Sequence, residues 1–151
     1  MSIKKWLTHN KKVIVLEPKE WRFWDFTQAV NNAIEDWYND ELSENAQNLF
    51  NSILKINRKV ENPTQWGDLK FLKGKAGRER IWELRFYCDK RAYRVLGYFG
   101  PERKQATLLI GCYHKQGVYE PADALDTAIK RKKMLEEGRA SFSERQVRTD
   151  I

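Results

Sequence analysis

The sequence predicts an α+β domain of two layers, a helix hairpin packed on an antiparallel β-meander with a C-terminal helix. Three observations lead there. Apolar residues recur at steps of three and four between residues 30 and 57, they alternate with other residues in three runs between 81 and 113, and a proline then opens a last stretch of helical period. The composition suits one folded domain: 151 residues, 41 % hydrophobic and 13 % aromatic, a length at which roughly 70 % of the unfolded chain's surface can be buried.

Residues 1–19 form a poorly patterned lead, in which Val13-Ile14-Val15-Leu16 can make a short strand and Pro18 interrupts whatever precedes it. The domain proper spans residues 20–138. Its first segment, Glu20 to Phe26, is dense in aromatics that suit a pleated surface, although the same pattern fits the start of a helix. Val30, Ala33, Ile34, Trp37 and Tyr38 then place an amphipathic helix over Asn31–Asp40. Ser43 is a good N-cap for a second helix, whose apolar face is Ala46, Leu49, Phe50, Ile53, Leu54 and either Ile56 or Asn57, before Asn62-Pro63 stops it. The short Asp40-Glu41-Leu42 link makes the two helices a hairpin.

After Pro63 the period changes toward two. Ile81–Tyr87, Arg91–Phe99 and Gln105–Tyr113 read as strands, joined by Cys88-Asp89-Lys90 and by Gly100-Pro101-Glu102-Arg103-Lys104, which are hairpin-length and turn-rich. Pro121 opens a last helix, Ala122 to Glu137, and Gly138 ends it. Residues 139–151 are a polar tail, expected to be loosely held.

The charge is unevenly spread. The chain carries a formal +7, yet Glu17–Pro63 has 5 basic and 9 acidic residues, whereas Lys70–Arg94 has 9 basic and 3 acidic. An excess of six positive charges in a short stretch is the footprint of a polyanion binder, because neutralised phosphates release condensed counterions. The run Lys130-Arg131-Lys132-Lys133 points all round a helix and reads as a solvated terminal turn favoured by the helix dipole. No apolar stretch is long enough for a membrane span or a signal peptide, so the expected location is the cytoplasm, away from membranes. Two cysteines, Cys88 and Cys112, without a CxxC or a nearby His cluster, suggest free thiols and neither a disulfide framework nor a metal site.

Alternation along the first meander strand puts Glu83, Arg85 and Tyr87 on one face and Trp82, Leu84 and Phe86 in the core. On the second strand Arg94 is expected to face out, since an unpaired buried guanidinium costs several kcal/mol. Exposed arginines of neighbouring strands then form a phosphate-sized concavity. At the end of the third strand, Tyr113, His114 and Lys115 can hang over it. These residue types suit RNA cleavage by 2′-hydroxyl attack without a metal or other cofactor: His114 as acid or base, Arg85, Arg94 and Lys115 for the charged phosphorane, and Tyr113 or Tyr119 for a splayed base. Lys70, Lys73, Lys75, Arg78 and Arg80 extend the basic stretch as RNA-binding candidates. His9, in the unpatterned lead, is assigned no role.

Read together, Trp82-Glu83-Leu84-Arg85, Tyr93-Arg94-Val95-Leu96, Leu108 to Lys115, Pro121 and Ala128 to Arg131 resemble the RelE/ParE toxin superfamily, and within it the phage-derived HigB-like branch. The helix hairpin and Asp68-Leu69-Lys70-Phe71-Leu72-Lys73-Gly74 resemble the family's helical layer and its lead into the sheet. The resemblance covers roughly Glu20 to Gly138 and implies a RelE-like toxin domain over residues 20–138. It implies the toxin of a type II toxin–antitoxin pair, in many members a ribosome-dependent mRNA endonuclease. The implied partners are the ribosome, mRNA and a small cognate antitoxin, of helix-turn-helix type, whose acidic segment covers the basic cleft. By position, Arg85 and Arg94 match basic strand residues used for phosphate contacts. His114 and Lys115 fall on the paired lysines of the branch, and Tyr113-His114 resembles the His and Tyr ending the last strand of YoeB-like members. Ile81 and Glu83 stand where RelE has lysines, and Cys112 stands where the branch has an aromatic residue. Because ParE members inhibit gyrase without cutting RNA, a gyrase-inhibiting toxin is the first alternative. A non-catalytic prophage nucleic-acid-binding protein is the second.

Overall fold

The computed structural model describes residues 19–147, together with the backbone of two short strands that precede them. Those strands, β1 (Trp6–His9) and β2 (Lys12–Val15), form an antiparallel hairpin. The strand expected at Val13–Leu16 is thus β2 as far as Val15, and Leu16 and Pro18 lie outside the described residues. None of the described helices is long and apolar enough to cross a membrane.

The aromatic-rich segment is a strand, β3 (Arg22–Gln28), in which Phe23, Trp24, Asp25 and Phe26 are all buried. Burial of consecutive residues requires cover on both faces of the sheet. Its end turns through Ala29, which has φ of 54°, into β4 (Asn31–Asn32), which pairs back on it. Val30, assigned by periodicity to the buried side of a helix, lies in that turn and is 98 % exposed. The first helix, α1 (Ala33–Glu41), starts later than expected because the Asn32 side chain caps it by accepting from the Glu35 N–H at 2.9 Å. Ser43 caps α2 (Glu44–Asn57) as expected, accepting from the Ala46 N–H at 3.2 Å. Ala46, Phe50, Ile53, Leu54 and Asn57 form the buried face of α2, whereas Leu49 and Ile56 are exposed, so Asn57 continues the period.

Then follow β5 (Leu69–Phe71), the short α3 (Gly74–Arg78), and the meander of β6 (Trp82–Cys88), β7 (Arg91–Phe99) and β8 (Gln105–Lys115), all within two residues of the expected bounds. A tight turn at Gln116-Gly117, both at positive φ, leads to β9 (Val118–Glu120). The last described elements are α4 (Ala124–Glu136) and β10 (Ser141–Arg145). The strand order is β10-β3-β8-β7-β6-β5, parallel only between β3 and β8, with β4 beside β3 and β9 beside the far end of β8.

One face of the sheet lies under the helix hairpin, where Trp82, Leu84, Phe86, Tyr93 and Val95 meet Trp37, Phe50 and Leu54. Gly111 allows this approach: a Cβ there would lie 2.0 Å from the Trp37 ring. The other face is partly covered by α4, whose Ala124, Ala128, Met134 and Leu135 share a second cluster with Leu96, Tyr98, Leu109 and Ile110. The domain is mixed α+β, as expected, but it has three layers. Alternation already obliges Leu96 and Ile110 to lie opposite Val95, and they need a helix of their own. Between Leu96 and Gly97 the register with β8 shifts. Arg131 donates to the Leu109 carbonyl there at 2.8 Å, satisfying a group the ladder skips.

The tail corrects a second expectation. Through Arg145 it is not loosely held, because β10 pairs along β3. Its polar composition conceals a buried ion pair with further partners at its rim: Arg145 donates to buried Asp25 at 2.8 Å and to the half-exposed Glu35 at 2.6 Å, while Asn32 donates to Asp25 at 3.0 Å. Residues 148–151 lie outside the described residues.

Candidate functional site

α4 stops short of the far ends of β6, β7 and β8, and there the strands present successive rows of cross-strand neighbours on the second face. Lys70, Glu83 and Leu96 form the first row, Arg85, Arg94 and Cys112 the second, and Tyr87, Ala92, His114 and Tyr119 the third. Arg85 and Arg94 are therefore direct cross-strand partners on one side of the sheet. The core side holds Trp82, Leu84, Phe86, Tyr93 and Val95, as expected.

Glu83 lies at the centre of the charged set and is only 1 % exposed. Arg85 Nε donates to its Oε1 at 2.6 Å, Arg94 Nε lies 3.1 Å from the same oxygen, and the Tyr119 hydroxyl donates to Oε2. Burial pushes this carboxyl up, but the hydrogen bonds from Tyr119 and Arg85 and the charges of Arg85 and Arg94 outweigh it, so its pKa sits below the ordinary value. Tyr119 is correspondingly pushed up by burial and by the carboxylate it faces, and stays a donor. Arg94 also donates from Nη1 to the Tyr93 carbonyl at 2.8 Å. Arg94 does face away from the hairpin, but it is not the exposed arginine expected: its side chain is 15 % exposed against 41 % for Arg85, because the buried Glu83 carboxylate gives it a partner, and it is the more fixed of the two. Two guanidiniums against one carboxylate leave a single positive charge, which suits a phosphodiester monoanion.

His114 packs its ring edge-to-face on Tyr119 at 4.3 Å between centroids. Burial and then the nearby Arg94 charge lower its pKa, so it is neutral at neutral pH. Its Nε2 is enclosed and has no hydrogen-bond partner among the described residues. Cys112, below them, is buried and pushed up to about 12, so it stays an inert thiol.

The structure thus groups His114, Arg94, Arg85 and Tyr119 and separates Tyr113 and Lys115 from them. Tyr113 alternates to the helix-hairpin side, where Arg91 lies over its ring at 4.3 Å. Lys115, two residues on, shares that side at the exposed strand end. Neither hangs over the concavity, because period-two alternation allows only His114 of the three to face it. Lys70 is exposed on edge strand β5, in register with Glu83. Lys73, Lys75 and Arg78 are exposed on or beside α3, with Lys75 3.5 Å from Asp126. Arg80, at φ of 59°, lines a cleft with Tyr98, Pro101 and Lys132, away from the Arg85–Arg94 pair.

One contributor escaped the sequence reading: Glu83 shares a face with Arg85 by the same alternation, and that spacing was the signal for a shared carboxylate. Tyr87, 67 % exposed, shares that face. Comparison of the chain with protein-family models, with curated proteins and with solved structures found no match in any of the three.

Proposed function

We propose that the protein is the toxin of a type II toxin–antitoxin pair and a ribosome-dependent mRNA endonuclease, with a RelE-like arrangement of helix hairpin, meander and terminal helix. The observation that carries this reading is the placement of Arg85, Arg94 and a neutral His114 in adjacent rows of one sheet face, with Arg85 exposed at its surface. A phosphodiester seated on the Arg85–Arg94 row brings its 2′-hydroxyl toward the His114 row. With Nε2 enclosed, His114 takes the 2′-hydroxyl proton at its other ring nitrogen, Nδ1, and the 2′-oxygen attacks phosphorus. Arg85 and Arg94 stabilise the charge that builds on the non-bridging oxygens. The P–O5′ bond breaks, and the leaving oxygen takes a proton from water at the exposed side. Glu83 and Tyr119 act by positioning the two guanidiniums. Lys70 and the cations around α3 provide non-specific attraction to RNA and, without RNA, to an acidic antitoxin segment.

The partial occupation of both guanidiniums by Glu83 favours a second reading, a protein-binding toxin of the gyrase-inhibiting kind that needs no chemistry here. Induction of the protein without a neighbouring antitoxin separates the two. The nuclease reading expects growth arrest with cuts in translated messages, both lost in His114→Ala. Arrest with intact messages and disturbed supercoiling in that variant would favour the second.

A further inference from the structure

The row next to the guanidiniums has a shape of its own. Tyr87, Ala92 and His114 are successive cross-strand neighbours on β6, β7 and β8, and Tyr119 backs His114 from β9. Two aromatic rings are thus separated by a residue with no atom beyond Cβ. Tyr87 and His114 stand two strand spacings apart, about 9–10 Å at their base. A flat ring in contact with both uses about 7–8 Å, which that spacing admits. Tyr87 is 67 % exposed and belongs to neither core cluster, so packing does not explain an aromatic residue there. The Arg85–Arg94 row is one two-residue step away along the same strands, about 7 Å, the order of separation between a nucleotide's phosphate and its base.

Resting on the nuclease reading, we propose that Tyr87, Ala92 and His114 form a nucleobase slot that takes one unstacked base of single-stranded RNA between the Tyr87 and His114 rings while the adjoining phosphate sits on Arg85 and Arg94. The slot selects single strands, because a paired base cannot leave its stack to enter without loss of pairing. It deepens the site's role from phosphate capture to substrate selection, and it assigns a function to an exposed tyrosine that the cleavage chemistry does not use.

The test is binding at low salt of a short single-stranded RNA blocked at its 2′ positions, compared with the same oligomer made abasic at one residue at a time. Wild-type protein should bind the intact oligomer more tightly than at least one of the abasic series. Tyr87→Ala should lose about tenfold on the intact oligomer, the effect of one lost stacking contact, and nothing on that abasic one, while Tyr87→Phe binds as wild type. Tyr87→Ala binding both oligomers as wild type does, or weakening both alike, overturns the slot. Arg94→Ala should weaken both alike, so a protein that depends on Arg94 but not on Tyr87 loses the slot and keeps the phosphate site. A protein that binds neither oligomer loses both.

Discussion

At the scale of single residues, the site turns on how Arg94 divides its charge. It stands beside buried Glu83, whose carboxylate it helps to keep ionised, and close enough to His114 to disfavour the imidazolium. The His114 pKa is lowered first by burial and then by Arg94, so Arg94→Ala should move it upward. A proton NMR titration of the imidazole checks this, and an unchanged midpoint would show that burial alone sets it. The sign for stability follows from linkage. A histidine whose folded pKa lies below its unfolded value leaves the unfolded chain holding more protons between the two values. Its contribution is intact above the unfolded value near ~6.5 and is lost as pH falls through the folded one. On the proposed nuclease reading, cleavage should weaken over the same range as the base becomes protonated. Glu83 adds a loss at lower pH, because its folded pKa is also depressed below its unfolded value.

At the scale of elements, the C-terminal strand is where polarity misleads. β10 is attached by backbone pairing to β3 and by Arg145, which is 8 % exposed and held between Asp25 and Glu35. Arg145→Ala would leave Asp25 buried without its main partner and should cost about 3–5 kcal/mol, measured by urea unfolding. Asp25→Asn on that background should recover part of the loss, since burial already pushes the Asp25 carboxyl up toward its neutral form. A double variant no more stable than Arg145→Ala would mean that the loss comes from strand pairing and not from a stranded charge. The hairpin and meander were legible because each has a strong period and a recognisable punctuation: Ser43 as cap, Asp89-Lys90 and Gly100-Pro101 as turns, Pro121 before the last helix. β10 has no such pattern. Its inward residue is an arginine whose partners lie more than a hundred positions earlier.

At the scale of the whole molecule, one error in layer count and one success in register have the same origin. Alternation along β6 and β7 separates Trp82 and Leu84 from Arg85 and Arg94, and the structure keeps that separation. Alternation also leaves Leu96 and Ile110 opposite the hairpin, a surplus of apolar surface that calls for the second helical layer supplied by α4. α4 covers only part of that face; the remainder is closed over Glu83 and Cys112 and accessible at Arg85 and Tyr87. Tyr113 and Lys115 were misplaced for a related reason: contiguity in sequence suggested a shared lip, but neighbours on a strand point apart. Glu83, read as a departure from a family pattern, is the group that holds the arginines together.

The most direct test is the chemistry of the RNA ends left after the protein is induced during active translation. Attack by the 2′-oxygen, with Arg85 and Arg94 on the phosphate and His114 as base, leaves a 2′,3′-cyclic phosphate upstream of each cut and a 5′-hydroxyl downstream, and no such ends in Arg94→Ala or His114→Ala. Ends bearing 5′-phosphate, or cuts that persist in both variants, would contradict it.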